Sequence, residues 1–321
     1  MKNRFLGFKS TLILLFLSLT FFGQAQNFTA GRIIVSRVGD PLVSLTTNTA
    51  PISLLEFDPT TADQTIPSKI VNFGNATSGS RLTVSGTTAQ EGQLSLSANG
   101  NHLQILGYDF PTATATPTGT IVNKVIARIG YDGTVDYTTN FSTSANGTAR
   151  SVVSADGTRF WTSINNIATV TFGQTATPSV FATGTPRTLN IYNGQLYYHT
   201  GFGNIFKTTT ALPTTAISGT TAVPVSPALP SNGFVFFDLD PSVSWDGTGY
   251  DVLYLTNSNS GIEKYYYDVA NAAWLPVNSQ YTLLISITNG GSGYTSAPPF
   301  VIEMSNVYWL LTGSQAALAT S

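Results

Sequence analysis

The stretch EGQLSLSANGNHLQILGY, Glu91 to Tyr108, alternates polar and apolar side chains, breaks at Asn99-Gly100, and then resumes the alternation. A period of two marks a half-buried strand, and Asn-Gly between two such runs marks a hairpin. The design returns further along the chain. Ser154-Ala155-Asp156-Gly157 repeats Ser97-Ala98-Asn99-Gly100 at an offset of 57 residues, and Tyr192-Asn193-Gly194 repeats it after a further 37. A looser fourth unit runs from Gly233 to Asp240, turns at Asp246-Gly247, and continues through Asp251–Leu255 and Gly261–Tyr266. Together with Asp132-Gly133, these units hold five Asn-Gly or Asp-Gly dipeptides suited to type I′ turns, which need positive φ at both central residues.

From Gln26 onward, short β-type runs alternate with Gly-containing turns, and no helical apolar period lasts longer than two turns. The chain therefore reads as all-β. Units of this size, each built of four short strands, point to a β-propeller. A blade cannot bury both of its faces alone, so neighbours stack and the ring closes. At about 40 to 50 residues per blade, the length supports about six or seven blades. Ile33–Val38 is the candidate N-terminal strand that completes the last blade, and Ile52–Phe57 follows it. A β-sandwich or a β-helix is the alternative arrangement of the same strands.

Ahead of the repeats, Lys2, Arg4 and Lys9 precede an apolar stretch, Thr11–Phe22, and Gly23 and Ala25 flank Gln24. This pattern predicts a secretory signal peptide over residues 1–25, cleaved after Ala25. The apolar run is shorter than the roughly 20 residues a membrane span needs. Cleavage leaves 11 basic against 16 acidic residues, a net charge of −5. Nucleic acids and anionic membranes are then poor partners, and no transmembrane segment is expected after cleavage. The absence of cysteine excludes disulfide scaffolds, Cys-ligated metal centres, thiol enzymes and a lipid-modified N-terminal cysteine. The expected location is secreted, periplasmic or extracellular.

The run Glu91–Asp109, with Asp156–Trp161, Asn190–Tyr197 and Gly261–Tyr265, resembles a family of secreted bacterial propeller-like proteins without an assigned activity. The resemblance covers about residues 30–275. It implies a propeller fold and carries no catalytic residue across. The domain is expected to span residues 26–312 and to turn irregular from about 281, where Ile287–Tyr294 and Pro298-Pro299 replace a regular blade. The last blade is thus expected to be incomplete or irregular. Phe300–Leu311 holds two further apolar runs, and 313–321 reads as a small-residue tail.

Chemistry-bearing residues are few. No Gly-x-Ser-x-Gly elbow, His-Glu-x-x-His pair or Walker loop is present, and the two histidines, His102 and His199, read as ordinary sheet residues. Arg150 and Arg187 share one repeat position, at the opening of an innermost strand, and the same offset brings Gln93 into line. Glu91 and Asp238 lie near the equivalent place in their own units. Arginine presents a planar fork to carboxylates or sugar hydroxyls, so Glu91, Gln93, Arg150, Arg187 and Asp238 form a candidate polar ring at a channel mouth.

Trp161 aligns with Tyr198 and Phe160 with Tyr197, which reads as packing between blades. Tyr108, Phe202, Trp245 and Tyr250 fall at strand ends or in loops and are candidates for stacking on sugar rings. Asp238, Asp240, Asp246 and Asp251 form the densest acidic cluster, which suggests a structural calcium ion as the sole cofactor. The leading functional expectation is a secreted, non-enzymatic module that binds a glycan or an extracellular protein. A secreted polysaccharide hydrolase or lyase with Glu91 and Asp238 as acid and base, and a structural envelope protein, are the alternatives.

Overall fold

The computed structural model describes residues 27–74, 77–115, 122–142, 147–183, 186–201, 204–215, 219–225, 231–257, 261–277 and 308–309. The expected signal peptide, the tail 313–321 and nearly all of the irregular region lie outside the described residues. Among the described residues the chain is all-β: its one helical element is a single 3₁₀ turn at Trp245–Gly247. None of its helices is long and apolar enough to cross a membrane.

The strands fall into four-stranded antiparallel units in chain order. The first unit joins β1 (Ile33–Val38), β2 (Thr49–Phe57) and β3 (Lys69–Asn72). A short β4 (Thr83–Ser85) leads to the second unit, β5 (Leu94–Leu96), β6 (His102–Tyr108), β7 (Lys124–Gly130) and β8 (Val135–Phe141). Because β4 pairs with β2 and touches β6 through Thr83↔Tyr108, these two units are joined in one nine-stranded sheet. Three separate sheets follow. They are β9 (Ser151–Ser154) to β12 (Ser179–Thr183), with β10 (Arg159–Ser163) and β11 (Asn166–Thr171) between them; β13 (Thr188–Tyr192), β14 (Gln195–His199), β15 (Ile205–Thr208) and β16 (Thr220–Ala222); and β17 (Ser231–Phe237), β18 (Val252–Asn257), β19 (Gly261–Asp268) and β20 (Ala273–Pro276). The expected N-terminal strand, β1, pairs with β2 on one side. On the other side it pairs with β21 (Tyr308–Trp309), which gives the first unit its fourth strand from the far end of the chain.

In the second, third and fourth units alternation along the strands sends apolar side chains to both faces, and each of these faces is covered by the neighbouring unit. On β6, Leu103 and Ile105 join the core shared with the first unit, whereas Leu106 and Tyr108 join the core shared with the third. On β10, Phe160 packs back toward the second unit and Trp161 forward toward the fourth. Tyr197 on β14 packs forward into an aromatic core with Phe234, Phe236, Trp245 and Trp274 of the fifth unit. Four apolar interfaces thus join five consecutive units.

The repeat offset changes within a hairpin. Val153 pairs with Trp161, and its equivalent 37 residues on, Asn190, pairs with Tyr197. Trp161 therefore corresponds to Tyr197, and Phe160 to Leu196, rather than to Tyr198 and Tyr197 as the uniform offset predicted. The cause lies at the hairpin tips. Asn193 (φ 48°) and Gly194 (φ 71°) both take positive φ and join Tyr192 to Gln195 by a two-residue turn, as the type I′ reading requires. At Asp156-Gly157 only the glycine is positive, and the tip is longer, with Ser154 paired to Phe160. There Asp156 Oδ1 accepts from Thr158 N at 2.9 Å and Thr158 Oγ1 at 2.7 Å, an Asx turn. Asp132 does the same with Thr134 at 3.0 and 2.6 Å. A one-residue difference in tip length moves the following strand by one, and one residue exchanges the faces.

This register gives a direct test. Trp161 and Leu189 share one interface, whereas Phe160 lies on the opposite face of its strand. Trp161→Ala and Leu189→Ala should couple by about 0.5–3 kcal/mol in a urea-unfolding double-mutant cycle. Phe160→Ala and Leu189→Ala should add to within about 0.5 kcal/mol. Equal coupling for both pairs would show that the faces are assigned wrongly.

Candidate functional site

The first strands of four units meet at their N-terminal ends. Gln93, just before β5, donates from Nε2 to the Asn232 carbonyl at 3.5 Å and accepts from Thr188 Oγ1 at 3.3 Å. Thr188 also donates to the Asn232 carbonyl, and Leu189 N donates to Ser151 Oγ at 3.1 Å. Further along, Ser95 Oγ reaches the Val152 carbonyl and Asn190 Nδ2 the Phe234 carbonyl at 2.8 Å. Strands β5, β9, β13 and β17 therefore run side by side in one direction. Their polar side chains satisfy one another where four sheet edges would otherwise be bare.

Arg150 and Arg187 stand one residue before β9 and β13, in matching backbone positions: Arg150 N donates to the Ser163 carbonyl at 3.0 Å and Arg187 N to the His199 carbonyl at 2.6 Å. Both are half-buried. Arg150 donates from Nε to Gln90 Oε1 at 3.2 Å and from Nη1 to the Ile164 carbonyl. Burial first, and then the positive charge of Arg187, draws the Arg150 guanidinium below its ordinary pKa. The two arginines thus hold equivalent places at the starts of neighbouring strands. Both still carry their charge at neutral pH. Arg187 Nε is buried and has no hydrogen-bond partner among the described residues. Gly201, with φ of +83°, leaves room for the arginine stem, since a Cβ there would lie 2.6 Å from Nε. The turn beneath is held by Gly201 N donating to His199 Nδ1 at 2.8 Å.

Glu91, two residues before Gln93, is buried. Its Oε1 accepts from Tyr108 OH at 2.7 Å and its Oε2 from Ser85 N at 2.7 Å, so both oxygens are engaged. Desolvation raises its pKa, against the pull of these hydrogen bonds and of Lys124 and Arg150. Tyr108 OH also accepts from Ala149 N at 3.1 Å, which ties the second unit to the third. Lys124 is fully buried, with Nζ 4.7 Å from the Tyr108 ring centroid and 3.3 Å from the Val122 carbonyl it donates to. No sequence signal marks Lys124: it opens an apolar strand, KVIARIG, where a lysine ordinarily caps the edge.

Other expectations are corrected. Gln93 occupies the position taken by Ser151 and Thr188, one residue inside the arginines, because Leu94, Val152 and Leu189 are the equivalent backward-facing core residues. Asp238 follows the last residue of β17 and is exposed, so it stands at the opposite end of the first strands from Glu91. Seven strand residues at about 3.3 Å each separate those ends by about 20 Å, beyond the roughly 5–10 Å of a glycosidase acid–base pair. Tyr108 and Trp245 are buried, and Trp245 stacks on Phe236 at 5.7 Å. Tyr250 is half-buried with its ring stacked on the same Phe236 at 5.6 Å. These rings serve the core because sheet-to-sheet packing needs their area. Phe202 lies outside the described residues.

The four aspartates do not converge: among the described residues no group of three or more His, Asp or Glu is placed to hold a metal ion. Asp246 pairs with Lys207, Asp251 Oδ1 accepts from Leu239 N at 2.5 Å, and Asp240 Oδ1 accepts from Ser242 N at 2.9 Å. Asp238 lies against Gly249, with Oδ2 3.0 Å from where a Cβ would stand.

No family model and no curated protein matches the chain. Among solved structures it is similar to U3-55K, a WD40 β-propeller, with a TM-score of 0.41 and 7% identity, over 76% of this chain and 84% of that one. The all-β architecture of antiparallel four-stranded units rests on the strand pairing itself.

Lys124 makes the site sensitive to pH. Burial lowers its pKa to about 8, against a pull upward from Glu91. Between pH 8 and about 10 the unfolded chain binds more protons at this residue, so stability should rise with pH, by at most about 1.4 kcal/mol per unit. Above pH 10 the buried tyrosines, whose pKa values are raised, act in the opposite sense. Urea midpoints at a series of pH values should show the rise in the native protein and lose it in Lys124→Met. A native profile that is already flat would place the ammonium in solvent.

Proposed function

We propose that the chain is a secreted, non-enzymatic β-propeller of about six or seven blades that binds a glycan or an extracellular protein partner at the mouth carrying Arg150 and Arg187. Closure of the ring is supported by the stacking of five consecutive units and by the meeting of their first strands. The pairing of β1 with β21 supports it as well. Secretion is supported by the N-terminal pattern of the sequence.

The observation that carries the binding reading is the arginine pair. Two arginines are held half-buried at matching positions of neighbouring strands, and Arg187 Nε has no hydrogen-bond partner among the described residues, an arrangement that costs folding energy. Side chains that cost stability without serving the core are the ones a ligand repays. Glu91 and Asp238 stand at opposite ends of the first strands, which favours binding over hydrolysis by that pair.

A glycan array probed with the native protein, Arg150→Ala and Arg187→Ala tests this reading. Each substitution should weaken binding at least about tenfold, with circular dichroism confirming that the variant is folded. Binding that survives both substitutions would move the site away from the mouth.

A further inference from the structure

We infer that the ligand is an acidic oligosaccharide, held through a sugar carboxylate by Arg150 and Arg187. This rests on the binding reading above and narrows it.

The first support is unbalanced charge. Glu91 is the carboxylate whose charge reaches Arg150, and both of its oxygens are committed to Tyr108 and to the Ser85 backbone. Arg150 is bonded to neutral acceptors, the Gln90 amide and the Ile164 carbonyl. Arg187 Nε, packed under Gly201, has no partner among the described residues. A ligand carboxylate would balance the two positive charges, because guanidinium and carboxylate match as parallel two-bond forks. A neutral sugar hydroxyl would leave the two cations repelling each other.

The second support is the ring nearest the pair. Tyr108, which bonds to Glu91 and to the Ala149 amide beside Arg150, is fully buried and offers no open face for a sugar to stack on. The third support is the chemistry of the neighbouring residues. Gln93, Thr188 and Asn232 bond to one another one residue inside the arginine positions, so amide and hydroxyl groups accompany the two cations. Such surroundings suit a small planar anion flanked by hydroxyls, as on one uronate ring. A branched acidic peptide lacks those hydroxyls.

Isothermal titration with a panel of glucuronate- and galacturonate-containing oligosaccharides, their carboxyl-reduced counterparts and a pentaglutamate peptide tests the inference. At least one uronate oligosaccharide should bind, and its reduced form should bind about tenfold or more weakly. Added NaCl should weaken the uronate complex. Arg187→Gln should cost about tenfold or more and Arg187→Lys less, with circular dichroism confirming that each variant is folded. Equal, arginine-dependent binding of the reduced sugars would overturn the carboxylate assignment and leave the binding site standing. Arginine-dependent binding of pentaglutamate alone would overturn the assignment to sugars. Uronate binding that ignores both arginines would remove the site as well as its ligand, and failure of every probe to bind would overturn the inference.

Discussion

The structure depends on one constraint: the second, third and fourth units have apolar side chains on both faces, so neither face can be left to water. Leu103 and Leu106, three residues apart on one strand, lie in different cores. Burying a side chain of this size is worth about 1.5–3 kcal/mol, and each of these units holds several on either side. Units are thereby forced to stack in chain order, and their first strands are brought edge to edge. Those edges carry unpaired backbone groups, which the Gln93, Ser95, Ser151 and Thr188 side chains satisfy across the seams.

The candidate site is what remains when that polar bookkeeping is complete. Tyr108 spends its hydroxyl on Glu91 and on the Ala149 amide, so the carboxylate serves to tie the second unit to the third. Lys124 lies beneath the same ring. The negative charge at this end is thus committed within the protein, while the two arginines nearby stay positive. A protein acidic in total presents a basic spot here, and steering of an anion would act over only about a Debye length.

Much of the fold was legible because alternation and turn chemistry are local. The runs around Asn99-Gly100, Asp156-Gly157 and Asn193-Gly194 are hairpins, and the fourth unit at Gly233–Tyr266 forms strands where its pattern places them. The matching of Arg150 with Arg187 was legible too, because both lie on the same side of a hairpin tip. What lay beyond the tip was not. Asn193-Gly194 and Asp156-Gly157 look alike in sequence, yet the first makes a two-residue turn and the second an Asx turn in a longer loop, so the Trp161 equivalence slipped by one. Asp238 was misplaced for a related reason: repeat arithmetic fixes a residue's distance from a turn without fixing which end of the strand it caps. Burial of Tyr108 and Trp245 was invisible because it depends on units far apart in sequence.

The unequal tips bear on how such a chain can change over time. An added residue at the end of a hairpin is absorbed there, since Ser154 and Phe160 stay paired and the strands behind them keep their partners. An added residue inside a strand would turn one whole face of a unit inside out. Drift in length is therefore harmless at the rim opposite the arginines, where the tips project, and ruinous within the strands. Copies of the unit can diverge in loop size while the arginine end keeps its geometry, leaving one rim free to vary and the other held to its chemistry.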